Sequence, residues 1–310
     1  MMQPYDLYST YSIAACDLDA GELGAAVQTH QIGVGSRILW LEPGVGALVT
    51  QSLANIGFGP VGLAMLAEGV APKSVIAGLV GSDPNADRRQ LGLVNAQGQA
   101  AAFSGARCIA YAGHHVGAGY AVQANLMTRP TVIEAMRDAF ETTTGDLASR
   151  MLAAMDAAQA EDGDLRGSQS AAIKVVPNRL GVPEAQRYVV DLRVDEHAMP
   201  LLELRRLVKM RRAFLVDNKG FAAFAEGDKA GALALWEQAR AMSPEQEELP
   251  YWQAVKLAEF GDLDTAATIM RLALTNEPRR AEWIDLLYRL DAIGLVGAPG
   301  NGAALAKRVE

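Results

Sequence analysis

The chain has 310 residues, half of them apolar, 21% charged and 6% aromatic, which excludes a disordered or collagen-like polypeptide. That length exceeds one ordinary domain of roughly 100–200 residues and suits two. With 28 basic against 36 acidic residues the net charge is −8, so the sequence lacks the basic footprint of a general nucleic-acid binder and fits small-molecule or protein partners.

Apolar runs fall short of the roughly 18 residues of a membrane span. The opening MMQPYDLYSTYS has neither the basic region nor the apolar core of a secretory signal. A cytoplasmic location without membrane contact is the expectation. Cys16 and Cys108 lie in strand-like surroundings and read as small buried hydrophobes rather than a disulfide framework.

In chain order, period-2 runs predict strands over 11–18 (YSIAACDL), 22–30 (ELGAAVQTH) and 46–52 (GALVTQS). LDAGE joins the first two as a hairpin, with Gly21 free to take positive φ. Helices are predicted over 60–69 and 72–82, strands over 90–95, 99–104 and 120–126, helices over 130–141 and 145–161, and strands over 169–176 and 187–195. Strand runs alternating with helix pairs imply mainly antiparallel sheets with helices packed outside, a layered sandwich with two central sheets.

The texture changes at Pro200. Residues 1–200 hold 13 basic and 20 acidic groups, net −7, and 22 of the 30 glycines; residues 201–310 hold 15 and 16, net −1. LLELRRLVKMRRAFLV (201–216) is an amphipathic helical connector whose arginines are expected to be solvated or acid-paired. An internal repeat follows. Gly227, Asp228, Ala232, Ala239 and Pro244 recur, 34 residues on, as Gly261, Asp262, Ala266, Ala273 and Pro278, with Trp236 and Met270 in the matching large apolar position. Period and residue order resemble the tetratricopeptide repeat over 217–278, with a closing helix over 279–292. Such arrays bind a protein segment or pack against a neighbour, so a protein partner or self-association into a homo-oligomer is expected here.

Three motifs compete for chemistry. Gly57-Phe58-Gly59-Pro60-Val61-Gly62 has dinucleotide-loop glycines, but LAN sits between it and its strand and no acidic strand end follows at about 20 residues; a tight turn with Pro60 in the first helical turn fits better. His30, His114, His115 and His197 have no ligand spacing, which argues against zinc; no metal and no cofactor is the expectation, with a carboxylate-rich Mg²⁺ or Ca²⁺ site left open. The hydroxyl cluster Ser9-Thr10-Tyr11-Ser12 is by itself a polar strand edge.

Its neighbours change that reading. TYSIAACD, ELGAAV, GVGALVTQSLAN, RRQLGLVNAQGQAAAFSG, YAGHHVGAGYAVQANLM, GDLRGSQSAAIKVV and YVVDLRVDEH occur in this order between Thr10 and Leu204. Together they resemble the bacterial domain of unknown function 1028 family, placed in the N-terminal nucleophile hydrolase superfamily. The resemblance implies an α+β fold, a four-layer αββα sandwich, here followed by an all-α helical-repeat domain. It also implies hydrolysis of a non-peptide or small-peptide amide by a nucleophile at the mature N-terminus.

Thr10 matches the family's nucleophile, yet nine residues precede it, so activity requires cleavage of the Ser9–Thr10 bond. An N-terminal Thr supplies its own base, because an α-amine titrates near pH 7.7–8.0. Ser52 or Asn125 is the expected oxyanion donor. Gln51 and Asn55 at the end of one strand, Arg89, His114, and the polar turn of Asp164, Arg166 and Gln169 are candidate substrate contacts, with Arg166 suited to gripping a carboxylate. The alternative is a catalytically silent binding or assembly module using the sandwich and repeats as surfaces. The expected division is an extension over 1–9, a sandwich over 10–200, the connector over 201–216, repeats with a closing helix over 217–292 and a flexible tail over 293–310.

Overall fold

The computed structural model describes residues 10–275 and 279–310, and the backbone of Leu7–Tyr8. Ser9, the rest of the N-terminal extension and Pro278 lie outside the described residues. The chain forms two compact units, Met1–Val208 and Lys209–Glu310.

The first unit is α+β with two antiparallel sheets. One is five-stranded: β1 (Leu7–Tyr8) and β4 (Leu39–Glu42) both pair with β5 (Gly46–Leu53), which continues to β6 (Arg89–Asn95) and β7 (Ala100–Ser104). The other has six strands in the order β11 (Val190–Val194), β10 (Ser170–Pro177), β3 (Glu22–Thr29), β2 (Thr10–Asp17), β9 (Tyr120–Ala124) and β8 (Gly113–Gly117). The β2–β3 hairpin turns at Gly21, whose φ of 65° is free only to a residue without a Cβ. The short strands β1, β4 and β8 were not predicted; GHHVG and LWLE carry too little alternation to announce themselves.

Alternation along the strands sorts side chains into three apolar cores. On β2, Tyr11, Ile13 and Ala15 face α3 (Val132–Thr142), α4 (Leu147–Ala160) and the start of α5 (Pro200–Ala225), burying Met136, Phe140, Met151 and Leu204. Ala14 and Cys16, on the opposite face, meet Leu41, Ala47, Val49 and Val94 of the first sheet. The outer face of that sheet, through Leu48, Leu91 and Leu93, packs on α1 (Phe58–Ala67) and α2 (Pro72–Gly81). The glycines of 57–62 serve this packing: a Cβ at Gly59 would fall 2.2 Å from the Trp40 ring, and one at Gly62 2.5 Å from Leu48. Each fully buried Leu, Val or Phe contributes about 1.5–3 kcal/mol.

The second unit is helical, with α6 (Lys229–Met242), α7 (Glu248–Glu259), α8 (Leu263–Ala273), α9 (Arg280–Ala292) and α10 (Asn301–Val309). The residues repeated at 34-residue spacing play equivalent parts. Gly227 and Gly261 turn the chain at φ 88° and 83°. Asp228 and Asp262 cap α6 and α8 by accepting from Gly231 N and Thr265 N at 2.8 and 3.2 Å. Ala232, Ala239, Ala266 and Ala273 are fully buried, with Trp236 and Met270 between them.

Residues 201–216 lie within α5, which runs unbroken from Pro200 to Ala225. One expectation is corrected. Residues 293–310 are not a loose tail: α10 is amphipathic and buries Leu305, Ala306 and Val309 in the helical core. Within α5, Arg205 pairs with Asp156 and Arg206 with Glu203. No helix among the described residues is long and apolar enough to cross a membrane.

Candidate functional site

The inter-sheet layer changes character along β2. Toward the end of the strand it is apolar at Ala14 and Cys16; at the beginning, the same face presents Ser12 and Thr10. Opposite them the inward positions of the facing and flanking strands are also polar: Gln51 on β5, Gln90 on β6, Gln123 on β9 and Asn125 just beyond. All six are fully buried, and none carries a charge.

These side chains form one hydrogen-bonded network. Ser12 Oγ donates to Gln51 Oε1 at 2.5 Å and accepts from Gln123 Nε2 at 2.6 Å. Gln51 Nε2 donates to Gln90 Oε1 at 2.7 Å and to the Thr10 carbonyl at 3.1 Å; Asn125 Nδ2 reaches the same Gln90 oxygen at 2.9 Å. The Asn125 backbone N–H donates to the Thr10 carbonyl as well, at 3.1 Å. Gln90 Nε2 in turn donates to Ser104 Oγ (2.7 Å), which contacts His114 Nδ1 at 2.9 Å. A Cβ on Gly92 would fall 2.0 Å from Gln123 Oε1, so the glycine leaves room for that amide.

The first residue of β2 is thus held by its carbonyl from two sides, yet its own hydroxyl is an exception. Thr10 Oγ1 is buried and has no hydrogen-bond partner among the described residues. Buried hydroxyls are nearly always satisfied, and leaving one unpaired costs about 1–3 kcal/mol.

A charged cluster adjoins this end of β2. Thr10 pairs with Thr29 on β3, and the next residue, His30, donates its N–H to Asp164 Oδ2 at 3.2 Å. Asp164 is 2% exposed and is forked by Arg166, Nε to Oδ1 at 3.1 Å and an Nη2 bond to Oδ2 at 2.9 Å. Burial, and then the Asp164 charge, push the Tyr11 hydroxyl well above its ordinary range, so it stays a neutral donor to Gln159 at 3.0 Å. Gln169 contributes its backbone, donating to Thr29 O at 3.0 Å.

The structure therefore brings Thr10, Gln51 and Asn125 together and places Asp164, Arg166 and Gln169 at the neighbouring strand end. The fork of Arg166 that the sequence suggests for a substrate carboxylate is filled by Asp164. Asn55 and Arg89 go elsewhere: both bond Asp83, at 3.0 and 2.9 Å, and Arg89 also holds Leu53 O at 2.6 Å. Burial alone would raise Asp83, but hydrogen bonds from Arg89 and Asn55 outweigh it and hold the carboxyl below its usual range. They brace the β5–α1 loop.

Ser52 is likewise turned aside. Its φ of 64° is unusual for a residue other than glycine, and its hydroxyl bonds Cys108, whose thiol burial pushes upward. Such a backbone costs about 1–3 kcal/mol. His114 reaches the network through Ser104; partial desolvation of its ring, and then the charge of His115, lower its pKa. Gln90 was missed by sequence reasoning. The signal was present: in Gln90-x-Gly92-x-Val94 a polar residue occupies an inward position of an otherwise apolar strand. Among the described residues, no three His, Cys, Asp or Glu side chains are grouped to hold a metal ion.

Two antiparallel sheets enclosing a neutral, charge-free polar patch, with a hydroxyl at the head of a central strand, define an α+β protein with a candidate site between its sheets. Residues 10–204 match the model of the Family of unknown function (DUF1028), and the chain belongs to that family. It is similar to the crystal structure of the DUF1028 protein SPO2555 from Silicibacter pomeroyi, with 29% identity and a TM-score of 0.58 over 64% of this chain and 88% of that one. No curated protein matches the chain.

Proposed function

We propose that the first unit is an N-terminal nucleophile amide hydrolase, a four-layer αββα sandwich that acts once the Ser9–Thr10 bond is cut. The observation that carries this reading is the buried hydroxyl of Thr10, which has no hydrogen-bond partner among the described residues. Its strand and carbonyl are fixed by Gln51 and Asn125.

In the uncut chain the Thr10 nitrogen is a peptide amide and has no basicity. Cleavage converts it to an α-amine, part of which is neutral at physiological pH because such amines titrate near 7.7–8.0. Thr10 Oγ then attacks the substrate carbonyl carbon while the amine takes the hydroxyl proton. The tetrahedral oxyanion needs a preorganised donor, and we assign Asn125 to it. Collapse passes the proton to the leaving amine and leaves an ester on Thr10. Water activated by the same amine hydrolyses that ester and releases the acid. A small amide without a metal or organic cofactor is the substrate class this chemistry suits. The second unit, read as a tetratricopeptide-like pair with closing helices, is its contact surface for a protein partner or a second copy.

One observation favours a second reading, a catalytically silent binding module: Thr10 is wholly buried in the uncut chain. Intact mass of the purified protein separates the two. Loss of residues 1–9 that Thr10→Ala abolishes and Thr10→Ser preserves supports the hydrolase. A full-length chain that reacts with no electrophilic amide probe sinks it.

A further inference from the structure

Away from Thr10, the first unit has a cavity of about 550 Å³ beside the edge strand β4, between α1 and the β10–β11 region. None of the residues of the buried amide network lines it. Its walls are mostly apolar, formed by Leu39 and Trp40 of β4 and by Pro60, Leu63 and Ala64 of α1. Trp40 is held firmly, since a side chain at Gly59 would collide with the indole.

The polar groups in this wall are unequal. Arg187 is committed: it bonds Glu42 Oε2 at 2.5 Å and Leu41 O at 3.1 Å, closing off a carbonyl on the β4 edge. Lys174 is not. It sits on the face of β10 that looks between the sheets, with its ammonium 5.8 Å from the centre of the Tyr188 ring and its side chain only 18% exposed. Its carboxylate neighbour is Asp191, at 4.0 Å, the outer limit of an ion pair, and Asp191 does not line the cavity. The lining therefore carries two cations against one carboxylate, Glu42, which Arg187 already holds. A largely buried ammonium with a slack partner is an incomplete arrangement, because desolvated charge is stable only when well paired.

An apolar pocket of this size with one convergent charge is the usual form of a small-ligand site. We propose that this cavity binds a small carboxylate with an apolar, ring-sized body: the body against Trp40 and Leu63, the carboxylate on Lys174 Nζ.

Calorimetric titration of the full chain with 1-naphthoate and with neutral 1-naphthalenemethanol tests this. The carboxylate should bind at least tenfold tighter than the alcohol. Lys174→Met, which keeps the apolar stem, should make the two equal, and Lys174→Arg should retain the preference. Ala64→Trp, at an exposed position of α1, should weaken both at least tenfold without unfolding the chain. Equal binding by the native protein, a preference that survives Lys174→Met, or no binding of either compound would overturn the proposal.

Discussion

The two ends of the inter-sheet layer are built on the same strands and closed by the same pleat, but they are held together differently. Around Leu23, Val27, Leu41 and Val49 the layer is hydrocarbon, and each side chain contributes by leaving water. Around Thr10 it is hydroxyl and amide, where each group is desolvated and regains little more than it loses. A network of that kind fixes geometry at low net gain. It is the form expected where a backbone must be positioned by neutral groups alone. The apolar end supplies stability, and the polar end holds Thr10.

That contrast can be broken or sharpened by substitution. The largest effect should come from Leu23→Ala at the apolar end, about 2–5 kcal/mol of lost stability by urea unfolding, because a fully buried leucine leaves a cavity behind. Gln51→Leu at the polar end should cost about 2–3 kcal/mol, since the Ser12 hydroxyl and the Thr10 carbonyl each lose one partner while keeping another. If the second loss exceeds the first, the division of labour is reversed.

Asp83 braces the loop beyond β5 and gives a pH-dependent comparison. Its carboxyl is held below the unfolded value by Arg89 and Asn55, so its contribution is present above the ordinary carboxylate pKa of about 3.9 and is lost as pH falls through the lower folded value. Asp83→Asn should therefore cost about 1.5–3 kcal/mol at pH 7. The gap to the native chain should narrow below about pH 4. A gap that stays constant on acidification would show that the carboxylate charge is not what braces the loop.

The smallest effect has the most telling sign. Thr10→Val replaces a buried hydroxyl that has no partner among the described residues by a methyl of the same shape, and should stabilise the uncut chain by about 1 kcal/mol. Ser12→Ala, which removes a hydroxyl bonded on both sides, should destabilise it by a similar amount. Thermal unfolding of the two variants in parallel reads both signs. A destabilising Thr10→Val would mean the hydroxyl has a structural partner and would remove the observation on which the proposed nucleophile rests.

The sequence by itself determined the elements with strong local patterns. Alternation in YSIAACDL and GALVTQS placed β2 and β5, glycine at 21 placed the turn from β2 to β3, and the 34-residue identities placed two matching turns and caps in the helical unit. It also pointed to Thr10, Gln51 and Asn125. Only the tertiary structure decided what these side chains do. Gln90 joins Asn125 to Gln51 across two sheets, Asp164 fills the fork of Arg166, Asp83 draws Arg89 and Asn55 away from the site, and α10 folds into the helical core. The physical reason is range. Periodicity and turn chemistry act within a few residues, whereas a hydrogen bond or buried face is settled by whichever group arrives opposite it, and Ser12, Gln51, Gln90 and Gln123 meet only once both sheets have formed.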